Sequence, residues 1–366
     1  MLVAFGSQNL RVDDDGLMTP EVGGWAETKY RLLALYDELF STGMKNKWDE
    51  RVYLDLYAGA GYSRIQGTGK FLKASPMIAL TVAHPFDKYI FCEEREDLLD
   101  ALKARVKRIG TQANVAYIPG NCDAEIEKIY KLIPKASPTN KVLSLCLVDP
   151  FDFGLKFATL HRLSTVFMDF VVLLAVGMDA NRNYEHYVQG NSKKIDEALG
   201  NRGWRERWKA VGIRRSDFRS FLAGEFCRSM ESLGYLKKPL VRMKLVRSLE
   251  KNLPLYYLAL FSRSETAFQF WDGLLDRHGP QRRPRHGALE PVGGGAVDEA
   301  VDSVARRPFQ VVELADVNAL LNQQVFMHGV DRAGPRRVGA NLQAAGVGAD
   351  QDRAFLLNQP LGAFQG

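Results

Sequence analysis

The chain has 366 residues, of which 46% are hydrophobic and 25% charged, and its formal net charge is +6. That length fits one large domain or two modest ones, and the apolar share supports a substantial core. No run reaches the roughly 18 uninterrupted apolar residues that mark a membrane span. The opening MLVAFGSQNLRVDDDG has neither the charged n-region nor the long h-region of a signal peptide, so the cytoplasm is the expected compartment. Cys92, Cys122, Cys146 and Cys227 form no CxxC pair, which argues against a zinc site or a disulfide framework. His161, His186 and His278 stand apart in the chain, and no metal cluster is expected.

Residues 1–18 read as a loose leader. In TPEVGGWAETKYRLLALYDELF, residues Trp25, Leu32, Tyr36, Leu39 and Phe40 recur near one face, predicting a helix of about four turns. RVYLDLYAG is a strand. SPMIALTVA is a helix with Ser75 as its N-cap and Pro76 at the first helical position. KYIFCEE is a short strand, and REDLLDALKARVKRIG a charged amphipathic helix closed by Gly110. ANVAYIPG is a strand and DAEIEKIYKLIP a helix. KVLSLCLVDPF and MDFVVLLAVG are strongly apolar strands with the helical LKFATLHRLSTV between them. This alternation over residues 50–178 predicts an α/β fold, with a Rossmann-like, doubly wound and mostly parallel sheet covered on both faces.

Residues 184–236 read as a basic helical insertion, with Trp204 and Trp208 one turn apart. LVRMKLVRSLEKNLPLYYLALFSRS reads as two strands around a turn at Lys251–Pro254, an antiparallel C-terminal hairpin at the sheet edge. ETAFQFWDGLL is the last helix, and the α/β domain is expected to span 19–278. Composition then changes: no Lys follows Lys251, no Tyr follows Tyr257 and no Ile follows Ile213. Residues 279–366, rich in Gly, Pro and Arg at their start, read as a marginal or disordered tail. A shifted reading frame would produce the same break, and resequencing across codons 270–290 tests that hypothesis; an intact frame would dispose of it.

Ligands in such sheets bind at the carboxyl ends of the strands, and four strand ends here carry polar residues. The first has Asp55, Ala58, Gly59 and Gly61, with glycines that let backbone N–H groups approach a ligand. The second has Glu93, placed to accept hydrogen bonds from both ribose hydroxyls. The third has Asn121-Cys122-Asp123, where an acid can meet an adenine amino group. The fourth has Asp149-Pro150-Phe151. Each has a plainer alternative. The glycines can make a tight turn, and Glu93 can start a helix where the dipole favours it. Asp123 can cap the following helix, and Pro150 can end a strand. Taken in order, the four suit S-adenosylmethionine better than NAD. A dinucleotide motif wants a third glycine for its pyrophosphate, and Arg64 stands there. A sulfonium needs no anion-binding turn, and Asp55 puts a negative charge nearby.

Asp149, Pro150 and Phe151 have the chemistry for methyl transfer to an exocyclic amine. A carboxylate and a carbonyl accept N–H bonds, an aromatic ring holds a planar acceptor, and catalysis is mainly alignment. A base in a duplex would have to be flipped out to reach them.

Together GGWAETKYRLLALYDELF, YLDLYAGAG, ASPMIAL, IFCEER, GNCDAEI, LCLVDPFDFGLKFATLHRLS and LPLYYLALFSRS resemble the three-Cys-motif partner protein (TcmP) family over roughly residues 22–275. The resemblance implies a class I S-adenosylmethionine-dependent methyltransferase fold. It also implies association with a separate, radical-SAM-like protein bearing a three-cysteine motif. By position it carries the glycine loop onto Asp55, Ala58, Gly59 and Gly61, and the ribose acid onto Glu93. It carries the third acidic motif onto Cys122 and Asp123, and the Asp-Pro-Phe motif onto Asp149, Pro150 and Phe151. Two departures stand out. Asp152-Phe153 intervene before Gly154, and Asn121-Cys122-Asp123 replaces a Gly-Asp-Ala-Asn-like order.

The leading expectation is a methyltransferase acting on an amino group of nucleic acid or a nucleotide-like molecule. Residues 201–247 hold 13 Lys and Arg against 4 Asp and Glu, a surplus that could contact phosphates, with the tryptophans stacking on bases. The plainer readings are a solvated basic face and two core tryptophans. A non-catalytic module that binds the three-cysteine partner is the alternative, and a nucleotide-dependent oxidoreductase is third.

Overall fold

The structure, a computed structural model, describes residues 9–176, 183–190, 192–212, 214–237, 240–248 and 252–278. The tail expected over 279–366 and the start of the turn expected at Lys251–Pro254 lie outside the described residues.

The chain enters through two short strands, β1 (Arg11–Val12) and β2 (Glu21–Val22), and the 20-residue helix α1 (Trp25–Met44). β3 (Glu50–Asp55) is followed by a hairpin, β4 (Tyr62–Ile65) and β5 (Phe71–Lys73), and by the short helix α2 (Ser75–Ala79). Then come β6 (Lys88–Glu93), α3 (Glu96–Arg108), β7 (Val115–Pro119), α4 (Ile126–Leu132), β8 (Val142–Val148), α5 (Phe157–Leu163) and β9 (Met168–Leu174). The helices α6 (Tyr184–Val188), α7 (Lys194–Leu199), α8 (Trp204–Val211) and α9 (Phe218–Ser232) lead to β10 (Lys244–Arg247), β11 (Pro254–Phe261) and α10 (Glu265–His278).

Seven strands form one sheet in the order β7-β6-β3-β8-β9-β11-β10. Neighbours are parallel except at β11, which runs antiparallel to both β9 and β10. This is the Rossmann-like, doubly wound sheet of class I methyltransferase type. The C-terminal hairpin is added at the sheet edge as expected: β11 pairs with β9 and leaves β10 outermost. β8 and β9 are buried at every position, as parallel strands covered on both faces must be. Alternate residues split the core. Leu54, Cys146, Val172 and Ala259 pack with Ile129, Leu160 and Trp204 on one face. Tyr53, Leu145, Val171 and Leu258 pack with Leu33, Leu99 and Trp271 on the other.

Two expectations need correction, and one segment goes beyond them. Between the glycine stretch and α2, where the sequence assigned no element, the chain forms the β4–β5 hairpin, part of a second sheet ordered β1-β5-β4-β2. Alternating burial in Tyr62–Ile65, and Gly67 and Gly69 at φ 77° and 64°, are the local reasons.

The leader is not loose from Asn9 onward. Arg11 pairs with Leu72, and α3's Arg105, 1% exposed, gathers the leader against the glycine loop. Its guanidinium donates to both Asp15 carboxylate oxygens (2.8 and 2.7 Å), to Thr19 Oγ1 (2.7 Å) and to the carbonyls of Met18 (2.9 Å) and Ala60 (2.7 Å). A buried guanidinium has to match its fork of donors this way, and the same hydrogen bonds hold the Asp15 carboxyl below the usual carboxylate range.

Ser75 is not the N-cap of α2. Ala74 is, and Ser75 is the first helical residue.

Trp204 and Trp208 are core residues, 0% and 5% exposed, as the plainer reading of the sequence had it, and offer no stacking platform. Their indole N–H groups donate to Asp196 Oδ1 (2.7 Å) and the Tyr184 hydroxyl (3.0 Å). Phe218 packs against both rings. Much of the local positive charge is also paired: Arg205 with Asp196, Arg207 and Arg228 with Glu225, Arg215 with Glu185, and Arg242 with Asp272. Among the described residues no helix is long and apolar enough to cross a membrane.

Trp204→Ala is expected to destabilise the fold by about 3–5 kcal/mol, read from urea unfolding, while leaving retention on single-stranded nucleic acid unchanged. A loss under about 1 kcal/mol, or a selective loss of nucleic-acid binding, would contradict this packing.

Candidate functional site

Parallel register brings the four strand ends level along one edge of the sheet. Asp55 lies opposite Phe91 of β6 and Leu147 of β8, and Glu93 lies opposite Pro119 of β7. After β3 the chain turns to β6 and β7 on one side and later crosses to β8 and β9 on the other. β3 and β8 therefore flank the topological switch point, where open α/β sheets hold ligands.

The glycine loop is held from several directions. Leu56 N–H donates to the Leu147 carbonyl (3.2 Å) and Ala58 N–H to the Cys92 carbonyl (2.9 Å). Gly59 N–H donates to Glu93 Oε2 at 2.7 Å, and Arg95 N–H donates to the other oxygen at 2.9 Å. Gly59 sits at φ 61°, and a Cβ there would meet nothing within 4 Å. The loop therefore presents backbone to open space at that point. Gly61, at φ 82°, is tight instead: a Cβ would lie 2.9 Å from both Leu102 Cδ1 and Met77 Cγ. Glu93, expected as a ribose acceptor, thus also ties the loop to β6, with lone pairs left over on both oxygens.

Asp55 is fully buried, accepts the Tyr57 N–H at 3.1 Å through Oδ1, and is hydrogen-bonded by Ser75. Its Oδ2 is buried with no hydrogen-bond partner. Burial pushes its carboxyl up to about 7; the hydrogen bonds from Ser75 and Tyr57 oppose that rise, and the charges of Asp149 and Glu93 add to it.

The third strand end is arranged differently from expectation. Cys122 is buried, hydrogen-bonded with the Tyr57 hydroxyl, and its thiol is pushed up to about 11 by that burial. Asp123 does not cap α4, whose N-cap is Glu125. Its carboxylate accepts the Lys156 N–H (3.3 and 3.4 Å) and the Thr159 hydroxyl, which ties it to the start of α5. Asp123 also lines a cleft between α4 and α5 with Glu127, Lys156, His161 and Arg162. That cleft contains none of the glycine loop, and Arg162 closes on Glu127 within it at 2.6 and 3.0 Å.

At the fourth strand end Asp149 meets a residue that the motifs did not single out. Lys29 Nζ lies 2.5 Å from Asp149 Oδ2. Burial works against the Lys29 charge, but Asp149, Tyr30 and Tyr256 outweigh it and raise its pKa. The signal was present in the sequence: Lys29 falls on the Trp25, Leu32, Tyr36 stripe of α1, where a lysine interrupts an otherwise apolar face. Phe151 is 95% exposed, the most exposed large hydrophobic among the described residues. Asp152, in the same loop, pairs with Lys194 of α7 at 2.8 Å. Among the described residues no group of three or more His, Cys, Asp or Glu side chains could hold a metal.

Asp55 with its orphaned oxygen, and the open backbone at Gly59 beside Glu93, fit the adenosyl and sulfonium groups of S-adenosylmethionine. A carboxylate and an exposed ring at the end of β8 fit a planar amine.

No family model matches the chain, and no curated protein matches it in sequence. Solved structures do match. Protein LPL1258 from Legionella pneumophila is 12% identical, covering 68% of this chain and 91% of its own, with a TM-score of 0.40. An rRNA methylase from Streptococcus thermophilus is 11% identical over 65% of this chain and 95% of its own, with a TM-score of 0.30. The putative methyltransferase yhhF from Escherichia coli is 17% identical over 39% and 70%, with a TM-score of 0.26. Likeness at this level carries no functional weight, and the fold assignment stands on strand order and direction.

Because the folded value of Asp55 lies above its ordinary one, the folded state holds an extra proton between about pH 4 and pH 7. Stability therefore falls as pH rises through that window, by a few kcal/mol at most. Asp55→Asn is expected to remove that part of the fall in urea unfolding followed from pH 4 to pH 8. Parallel curves for the two proteins would contradict the buried, protonated carboxyl.

Proposed function

We propose that this chain binds S-adenosylmethionine and methylates an amino group on nucleic acid or a nucleotide-like molecule, together with a three-Cys-motif partner protein. One observation carries the reading: the parallel register gathers Asp55, Gly59 and Glu93 at the ends of β3 and β6, with Asp149 and the exposed Phe151 beside them at the end of β8. The partner rests on the family resemblance alone.

S-adenosylmethionine, when bound, supplies a methyl group on a sulfonium. The residues of this chain do the rest. Gly59 and Glu93 would hold the ribose, with Ala58 and Gly61 shaping the loop, and the buried Asp55 would stand as the acid of the cofactor pocket. Cys122 lies near the pocket through its bond to Tyr57. The Asp123 carboxylate is occupied by α5, which leaves the third strand end to contribute through Cys122 and backbone rather than through that acid. Asp149 would accept an acceptor N–H, the rigid Pro150 would set the carbonyl beside it, and Phe151 would stack on the acceptor ring. Nucleic-acid contact would come from exposed cations such as Arg202, Lys209 and Lys237, not from the buried tryptophans.

Calorimetry is expected to show binding of S-adenosylmethionine and S-adenosylhomocysteine but not NAD, and Glu93→Ala is expected to weaken it about 10-fold or more. Labelled-methyl incorporation into nucleic acids, with the partner present, is expected to fall about 10- to 100-fold in Asp149→Ala. Binding of NAD in place of S-adenosylmethionine would overturn the reading. Cofactor binding without any incorporation would favour a non-catalytic module.

A further inference from the structure

Lys29 lies on the face of α1 that packs toward the sheet and is 9% exposed. A buried ammonium is costly unless a counter-charge stands against it. Here the counter-charge comes from 120 positions away, at the end of β8: Asp149 Oδ2, 2.5 Å from Nζ. The other titratable groups around the pair are Tyr30 on α1, Tyr256 on β11, and Tyr53 and Asp55 on β3. None of them bonds the carboxylate. The Tyr30 hydroxyl pairs with Ser63 Oγ at 2.8 Å, and the Tyr256 and Tyr53 hydroxyls are buried with no partner. Among the described residues Lys29 is the one charged partner of Asp149, and Oδ1 accepts no hydrogen bond. The Asp149 side chain is 17% exposed against 11% for Lys29, so the carboxylate is half of a buried pair and still open to solvent.

We propose that Lys29 is a positioning residue, which fixes the Asp149 carboxylate in one orientation and leaves its second oxygen to accept an N–H from the acceptor amine. This rests on the methyl-transfer reading of the site. A buried ion pair contributes little stability over apolar side chains of the same volume. What it provides is a charge at a fixed place, and the place is the strand end that carries Phe151. A loop carboxylate without the ammonium would be free to rotate, and its ionised form would lose a neighbouring positive charge. Lys29 also joins two elements, α1 and the end of β8, and its neighbour Tyr30 hydrogen-bonds Ser63 of β4.

Lys29→Met keeps most of the stem volume and removes the charge, while Lys29→Arg restores a charge. Calorimetry with S-adenosylmethionine is expected to give affinities within about two-fold for wild type and Lys29→Met, because Lys29 touches none of the cofactor residues. Labelled-methyl transfer to oligoadenylate and to total tRNA is expected to fall about 10- to 100-fold in Lys29→Met. Lys29→Arg is expected to recover most of the rate. A third readout needs no turnover. The 13Cε signal of Lys29, identified by its loss in Lys29→Met, is expected to stay untitrated to about pH 11 in wild type and to titrate at lower pH in Asp149→Asn. If wild type gives no binding heat with S-adenosylmethionine, the methyltransferase reading fails and this role falls with it. If the cofactor binds but Lys29→Met transfers at the wild-type rate, the positioning role alone is overturned. The same follows if the Lys29 signal titrates identically in both proteins. A wild type that binds cofactor but methylates neither probe overturns the amine-acceptor role of Asp149 and that of Lys29.

Discussion

The register of β3 against β6 and β8 decides where every polar group of the site can stand. Parallel strands that start level end level, so Asp55, Glu93 and Asp149 emerge along one edge although up to 94 positions separate them. A slip of one residue in β3 would turn Asp55 to the opposite face of the sheet and put Leu54 or Leu56 in its place. The buried rows on both faces, Val52 and Leu54 on one and Tyr53 on the other, make such a slip expensive. The apolar core therefore specifies the polar edge.

That edge carries charges in a poorly hydrated setting, and each is compensated in its own way. Glu93 receives two backbone N–H groups. Asp149 receives an ammonium. Arg105, deeper still, receives the leader and the carbonyl of Ala60. Asp55 is the exception, with two hydrogen bonds on one side and an orphaned oxygen on the other. A group with an unmet hydrogen-bonding need at a strand end is where a cationic ligand gains most. Compensation elsewhere makes this one gap informative.

Much of the fold is legible in the sequence because period and punctuation agree. Apolar runs such as VLSLCLV alternate with amphipathic stretches, and glycines mark their ends. The second sheet is not legible, since its strands are two to four residues long and their hydrogen bonds come from distant leader and hairpin segments. The strand-end residues are legible as positions but not as interactions. Asp123 looks equally suited to cap the helix after it and to face a ligand; instead its carboxylate takes the Lys156 N–H and the Thr159 hydroxyl at the start of α5, more than 30 positions on. Lys29 is visible as a lysine on an apolar stripe, but its partner, 120 positions away, is set by tertiary packing. Trp204 and Trp208 carry ambiguous patterning, and it is Phe218, Tyr184 and Asp196 around them that settle their burial.

A crystal structure of the protein soaked with S-adenosylhomocysteine tests the central claim most directly. The account predicts the ribose against Glu93 and the open backbone of Gly59, with the sulfur on the side of Asp149 and Phe151. Ligand in the α4–α5 cleft beside Asp123 and Arg162, or a strand edge left empty at saturating ligand, would contradict it.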